Sequence, residues 1–413
     1  MTTIRRVSGP LALALVSGTA SLASANAFNI SEHDAEATGR GNAVAASDTG
    51  PSSIVFNPGG IAVVEGVNVA VNGSLVAASG QYTNDTDGTV KTDSGPVVLP
   101  AAFITARVHP MVAVALGFHA PFGLDISWPK NHPQADVIQD QSLRTYYVTA
   151  AVGVNLDRQV RGLSIGAGID LVPATVELAQ QIRFGDVVGN AHLGGTAFGI
   201  GGRAGVMYRS PDLPLKLGAM WSSQVKLDFS GTGNFDAPKP FRNQLPPDGD
   251  ITTSIEMPMS VSGGVAYGIT PQLEVEADVR WLDWSTFKEL RINLPGGSQS
   301  VVSEQYQDTV SLRVGAAYEL PTVPLAIRVG YIYDPTPIPT TTLSAQLPDA
   351  NRNVLTLGGS YRFGNYGVHA SVLYVLPATR KTSDAPFMPE YKAEYQVTAL
   401  VASLMLTGHF GGK

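Results

Sequence analysis

The chain has no cysteine. Disulfide frameworks, thiolate nucleophiles and cysteine-based metal sites are therefore excluded. Charge is also scarce: Asp, Glu, Lys and Arg make up 15% of the 413 residues, against about 25% in soluble proteins. The net charge of −7 offers no basic surface, so no nucleic-acid partner is expected. The seven histidines are scattered without ligand-like spacing; no metal and no cofactor is expected. Beyond the N-terminal segment, no uncharged apolar run reaches the ~18 residues that a spanning helix needs. No composition break or linker divides the chain, so one large domain is the simplest organisation.

What is present is alternation. In Leu215–Phe229, the residues Leu215, Leu217, Ala219, Trp221, Val225, Leu227 and Phe229 share one face. Lys216, Gly218, Ser222, Gln224, Lys226 and Asp228 share the other. Strand side chains alternate between faces with period two, so one face is apolar and the other polar. Fourteen such strands are expected, at 67–79, 99–108, 111–120, 143–156, 162–183, 193–208, 214–229, 251–267, 271–291, 306–320, 323–333, 353–363, 366–376 and 394–410. The connections between them alternate short and long, with 185–192 and 292–305 among the long ones. Short periplasmic turns and long external loops are the mark of an outer-membrane barrel. The fold class is therefore all-β: a transmembrane antiparallel β-barrel of about fourteen strands. Tyr146, Trp221, Tyr267, Trp281, Trp284, Tyr318, Tyr331 and Tyr333 are candidates for interfacial girdles.

The N-terminus reads as an export signal. Arg5 and Arg6 precede an apolar stretch through Leu11, Leu13, Leu15 and Val16. Ala23-Ser24-Ala25 then offers a small-residue cleavage site, with Ala25-Asn26-Ala27 as a second candidate. The expected organisation is a signal peptide at 1–25, a small helical unit at 26–62 and the barrel at 63–413. In the middle unit, Ser31 followed by Asp34 resembles a capping box, and the Ala-rich run up to Asp48 favours helix. About 37 residues are too few to fold alone. They need a surface, and a barrel lumen provides one. The unit is thus read as a hatch that plugs the lumen.

Several motifs carry a family resemblance. Ala27-Phe28-Asn29-Ile30, Gly39-Arg40-Gly41-Asn42-Ala43 and Asn57-Pro58-Gly59-Gly60 resemble the N-terminal hatch of the FadL/TodX outer-membrane transporters. Pro121-Phe122-Gly123-Leu124 resembles that family's segment after the third strand, and Trp284-Ser285-Thr286-Phe287 its Trp-Ser-x-Phe motif. Asp334-Pro335-Thr336-Pro337 and Leu347-Pro348-Asp349-Ala350-Asn351 resemble its sixth external loop. The resemblance implies a plugged fourteen-stranded barrel that takes up hydrophobic molecules, long-chain fatty acids first, by passive diffusion with sideways exit into the membrane. The alternative is uptake of neutral aromatic or aliphatic hydrocarbons by the same route. The expected partners are a hydrophobic small molecule, outer-membrane lipid and lipopolysaccharide, with the protein a monomer.

Site residues follow. Phe28, Asn29, Ile30, Gly39, Gly41, Asn57, Pro58 and Gly59 are assigned to the hatch. Ala120, Pro121, Phe122 and Gly123 are assigned to a kink in strand three, since Pro cannot donate to a ladder and Gly removes a side chain. By resemblance this is the lateral opening. Arg183 matches, by resemblance, a basic residue that meets a ligand carboxylate. Tyr306-Gln307-Asp308 stands where the family commonly has Trp-Lys-Asp, so a second cation is missing. Val137, Ile138, Phe235, Phe241 and Leu245 are candidates for an external landing groove. Rival readings are weaker. Gly162-Leu163-Ser164-Ile165-Gly166 matches a nucleophile elbow but sits in an alternating strand with no helix after it, so no enzyme is expected. A general porin or adhesin would lack the hatch.

Overall fold

A computed structural model describes residues 26–383 and 391–411. The export segment at 1–25 and part of the last long connection lie outside the described residues. The wall is made of β1 (Val67–Asn84), β2 (Val97–His109), β3 (Val112–His119, resumed at Gly123–Ser127) and β4 (Asp140–Thr145 and Tyr147–Asn155). It continues through β5 (Leu163–Phe184), β6 (Val187–Arg209), β7 (Leu215–Ser222 and Val225–Asp236) and β8 (Gly249–Met257 and Ser260–Gly268). β9 (Leu273–Leu282), β10 (Thr309–Glu319), β11 (Leu325–Asp334), β12 (Arg352–Phe363), β13 (Tyr366–Lys381) and β14 (Glu394–Phe410) complete it. Above β9 and β10 stands an external hairpin, Glu289–Asn293 with Gln299–Ser303. Neighbours in sequence pair antiparallel, and β14 returns to β1 in register from Val67↔Phe410 to Thr83↔Glu394. The fourteen strands therefore close into a barrel.

The alternation fixes which face looks where. In β10, Val310, Leu312 and Val314 are about half exposed, while Ser311 and Arg313 between them are buried. β12 repeats this with Leu355 and Leu357 outside and Val354 and Thr356 inside. An apolar band of this extent facing outward is stable only against lipid. Trp221, Tyr267, Tyr318 and Tyr331 are exposed on it, whereas Trp284 is fully buried inside.

Two connections differ from the sequence reading. At 185–192 a long loop is expected, yet β5 and β6 stay paired up to Phe184↔Val187. Gly185 (φ +65°) and Asp186 make a two-residue turn, for which a left-handed glycine is suited. Residues that look loop-like, such as Gly189 and Asn190, pair with Ile182 and Gln181 of β5, and β7 adds Asp236↔Asn190 on the other side. The long connection at 292–305 likewise carries strand residues, in the external hairpin.

Residues 26–64 lie inside the ring. They form α1 (Ala35–Gly39), α2 (Ser53–Phe56) and a 3-10 turn at Pro58–Val63. The cap of α1 is Asp34, whose Oδ1 accepts the Ala37 N–H at 2.9 Å, and not Ser31. The Ala-rich run is not helical. Its N–H groups are taken by barrel carboxylates instead: Val44 N and Ala45 N donate to Asp278, and Ala46 N to Glu276, at 2.7–2.9 Å. Small residues let the two backbones touch. A Cβ on Gly358 of β12 would meet Gly39 Cα at 2.8 Å, and one on Gly39 would meet Gly358 Cα at 2.7 Å. Overpacking of this kind costs about 1–3 kcal/mol. Gly358→Val is expected to lower the unfolding temperature and release α1 from β12 while the barrel still closes, read by thermal melting and by proteolysis within 26–62.

Candidate functional site

The interior is layered. Towards the long-loop end, the inner wall and the loops merge into one apolar core that includes Phe28, Phe122, Leu143, Tyr147, Trp284, Phe287, Tyr306 and Leu347. Phe28 is its centre. Its ring meets Trp284 at 4.7 Å, Phe287 at 6.2 Å and Phe122 at 6.4 Å, all edge to face. Asn26 fixes the approach, accepting from Trp284 Nε1 and exchanging hydrogen bonds with Thr309 Oγ1. Two small apolar cavities of about 60 and 40 Å³ lie in this core and share Val176, Leu178, Ile255 and Leu290. An apolar cavity of about 150 Å³ holds benzene, so this closed arrangement must widen to admit a ligand.

Below the core the interior is charged. Arg203 of β6 is ion-paired with Asp170 of β5 at 2.9 Å and donates to Ile54 O at 3.0 Å. Arg40 reaches Glu274 at 3.1 Å and Glu276 at 3.4 Å. Burial works against the charged form of Glu36, yet Arg328 and His369 beside it hold its carboxyl well below the usual range. Burial, with Asp34 next to it, pushes Asp48 up to about 8. A polar cavity of about 740 Å³ opens at the short-turn end, against Asp34, Glu36, Arg40 and Asp48. The N-terminal segment is thus held by barrel charges on several sides.

Ala120–Gly123 interrupt β3. Pairing with β2 ends at Ala102↔Phe118, while pairing with β4 resumes at Gly123↔Arg144. Val97–Ala101 of β2 consequently have β1 as their one strand neighbour among the described residues. Pro100 lies within this edge, where a proline is tolerated. The ring is bridged again higher up, where Asp93 N donates to Ser127 O at 2.8 Å. The ladder therefore has a window, a stretch without strand pairing between β2 and β3. The N-terminal segment stands behind it. Ile30 N donates to Pro121 O at 2.8 Å, Gly123 N donates to Phe28 O at 2.9 Å, and Asn29 Nδ2 adds a bond to Pro121 O at 3.1 Å. Ile30 packs with Val97 and Leu99 on the inner edge.

A family model described as "Outer membrane protein transport protein (OMPP1/FadL/TodX)" matches residues 16–410. The chain belongs to this family. FadL/TodX members are transport proteins of the Gram-negative outer membrane, not enzymes. A "Long-chain fatty acid transport protein" of Salmonella typhi is 27% identical over 231 residues, 53% of this chain and 52% of the relative. The chain thus spans about half the length of that relative. A FadL homologue from Pseudomonas aeruginosa superposes with TM-score 0.83 at 18% identity, over 93% of this chain and 100% of the other. The P. putida toluene transporter TodX gives TM-score 0.73 at 20% identity, over 94% and 99%. At these identities the two structures show a shared fold.

Within this FadL/TodX barrel the residues singled out from sequence fall in distinct places. Phe28, Asn29 and Ile30 meet Pro121–Gly123 at the window, next to Ala120. Gly39 rests on Gly358, and Gly41 (φ +66°) lies close to Tyr331 and Gly330. Asn57 bonds Gly59 N at 3.0 Å, Ala45 O at 2.7 Å and Val206 O at 3.0 Å, which ties Pro58 and Gly59 to β5 and β6. Arg183 sits at the rim, 44% exposed in its side chain, donating to Pro133 O at 2.5 Å and pairing with Asp136 at 3.5 Å. Val137 and Ile138 pack into the main core. Phe235 is buried on the β7 side, and Phe241 stacks on Phe184 at 5.0 Å with Leu245 half-buried nearby. These five flank β5 and β6 from opposite sides and do not form one groove. Sequence reasoning missed Tyr147, Glu304 and Pro100. The Leu99-Pro100-Ala101 string was the available signal for an unpaired edge. The double acceptor Asp278 is also new. Asp278→Leu leaves the Val44 and Ala45 N–H groups buried without partners, a loss of about 1–3 kcal/mol each. Hydrogen exchange at those two amides is expected to accelerate at least tenfold, with exchange in β9 and β10 unchanged.

Proposed function

We propose that the protein takes up hydrophobic molecules from outside the cell and releases them sideways into the outer membrane through the window between β2 and β3. One observation carries this: the apolar core ends at a gap in the wall, while the axial route beneath it is filled by residues 26–62, here acting as a hatch. A hydrophobic molecule leaving through the window passes from apolar side chains to lipid without entering the aqueous periplasm. Backbone that leaves the sheet ladder at membrane depth is tolerable only where it lines a cavity or is buried in protein, and Pro121–Gly123 are bonded from within by Phe28, Asn29 and Ile30.

Transport needs no energy source on this reading. The ligand moves down its gradient, and the hatch segment Phe28–Ile30 must shift from Pro121–Gly123 to let it pass. A single chain closes the ring, so a monomer suffices, with lipid and lipopolysaccharide around it. The S. typhi relative is named for long-chain fatty acids and the P. putida structure for toluene. Both ligands share an apolar body, which suits the apolar core once it widens. Long-chain fatty acids are the first reading by the named relatives. Neutral hydrocarbons gain support from the larger of the two apolar cavities, whose lining includes no Lys, Arg or His.

Two experiments test the route. The intact protein in a planar bilayer is expected to show no ion conductance, and deletion of residues 26–62 to produce stable channels; large conductance from the intact protein would exclude an axial plug. Pro121→Ala combined with Gly123→Val should straighten β3. Uptake of a radiolabelled fatty acid and of toluene is then expected to fall at least tenfold, with heat-modifiable gel migration confirming a folded barrel. Undiminished uptake would rule out sideways release.

A further inference from the structure

Glu304 is a buried acid with no structural duty to match its burial. It follows the external hairpin and lies above the membrane-spanning part of β10. The residue is 6% exposed. Its carboxyl receives one hydrogen bond, from Gln346 Nε2 at 3.1 Å, and has no ion-pair partner among the described residues. Asp349 nearby shows the contrast. That acid is paired with Arg352 at 2.6 Å and also accepts from Ala350 N and Thr336 Oγ1. Asp349 holds a loop together. Glu304 faces the apolar cavity of about 60 Å³ instead, among Phe28, Leu143, Phe287, Leu290 and Leu347. A polar group buried with few partners in an apolar site costs stability, and such residues in clefts are candidates for function.

We propose that Glu304, braced by Gln346, is the polar recognition point of this chamber and that it selects uncharged ligands carrying a hydroxyl or carbonyl oxygen. The inference rests on the uptake reading above and names its ligand class. An anionic head group would enter a space whose lining has no cation to offset the loss of its water. Burial pushes the Glu304 carboxyl up to about 8, so it keeps its proton at neutral pH. The protonated group is then a donor as well as an acceptor. Gln346 occupies one oxygen, which leaves the other O–H free to meet a ligand oxygen. The neighbouring charged residue, Lys288, whose carbonyl accepts the Glu304 N–H at 2.8 Å, has an exposed side chain.

Four probes of equal chain length separate head-group recognition from chain burial: hexadecane, hexadecanol, palmitate and hexadecylamine. Binding to the full-length detergent-solubilised protein is read by tryptophan fluorescence at pH 7. The wild type is expected to bind hexadecanol about tenfold more tightly than hexadecane or palmitate, the scale of one well-placed hydrogen bond. Glu304→Leu is expected to abolish the preference for hexadecanol and leave hexadecane unchanged, while Glu304→Gln keeps it. Should Glu304→Leu not fold, Gln346→Leu with Glu304→Gln carries the same comparison. Equal binding of hexadecanol and hexadecane by the wild type, or tightest binding of palmitate, would overturn the inference while leaving uptake intact. Tighter binding of hexadecylamine than of hexadecanol would make Glu304 a counter-ion and overturn it too. If none of the probes binds, the uptake reading falls and takes this inference with it.

Discussion

Backbone pairing governs this molecule. In hydrocarbon, an N–H or C=O without a partner costs several kcal/mol, and a sheet closed on itself leaves none of its edges without a partner. The long register between β1 and β14 meets that demand. Where the ladder between β2 and β3 fails, at Ala120–Gly123, it is repaired from within by Phe28, Asn29 and Ile30. The N-terminal segment is therefore part of the wall's hydrogen-bond inventory as well as the lumen's contents. Displacing that segment would break the bonds it makes to Pro121 and Gly123.

The second constraint is the division of polarity. Outward-facing side chains must be apolar, so the inward face carries what polarity the sequence has. Lower down, that polarity is spent on holding residues 30–62: Asp278 and Glu276 accept from the Ala-rich run, and Arg203, Arg313 and Arg328 reach across to it. Higher up, the inner face turns apolar, and Phe28 marks the boundary. Glycines such as Gly39, Gly330 and Gly358 let the segment sit against the strands without spacers. Charges supply the attachment and glycines supply the room.

Much of the barrel was legible because period-two alternation depends on single residues and their immediate neighbours. Strand positions and the alternation of faces in β10 follow from that alone. Leu215–Phe229 do not keep one face as the alternation suggests: Leu217 and Trp221 point outward while Val225, Leu227 and Phe229 are buried, because the strand breaks between Ser222 and Val225. What escaped depends on distant partners. Gly189 and Asn190 read as loop, since nothing in their own residues shows that the β5 ladder continues through them or that β7 will add to Asn190. The Ala-rich run reads as helix, since the competing acceptors lie some 230 residues away on β9. Ser31 reads as a cap because a capping box is a local pattern, yet Asp34 does the work. Pro121 and Gly123 were visible as breakers. The matching unpaired edge on β2 was not, because pairing is a property of two strands. Glu304 left no trace for the same reason: its burial is created by loops that are distant in sequence.

The β5–β6 pair has a further consequence outside the membrane. β5 alone runs for 22 residues, about 70 Å of strand at ~3.3 Å per residue. Tilted by about 40° it still rises roughly twice the ~25 Å apolar band of an outer-membrane barrel. The ribbon therefore stands as a mast above the lipid, with Gly185 and Asp186 at its tip. A turn between two paired strands thereby stands well clear of the lipid, where large molecules such as antibodies approach the cell.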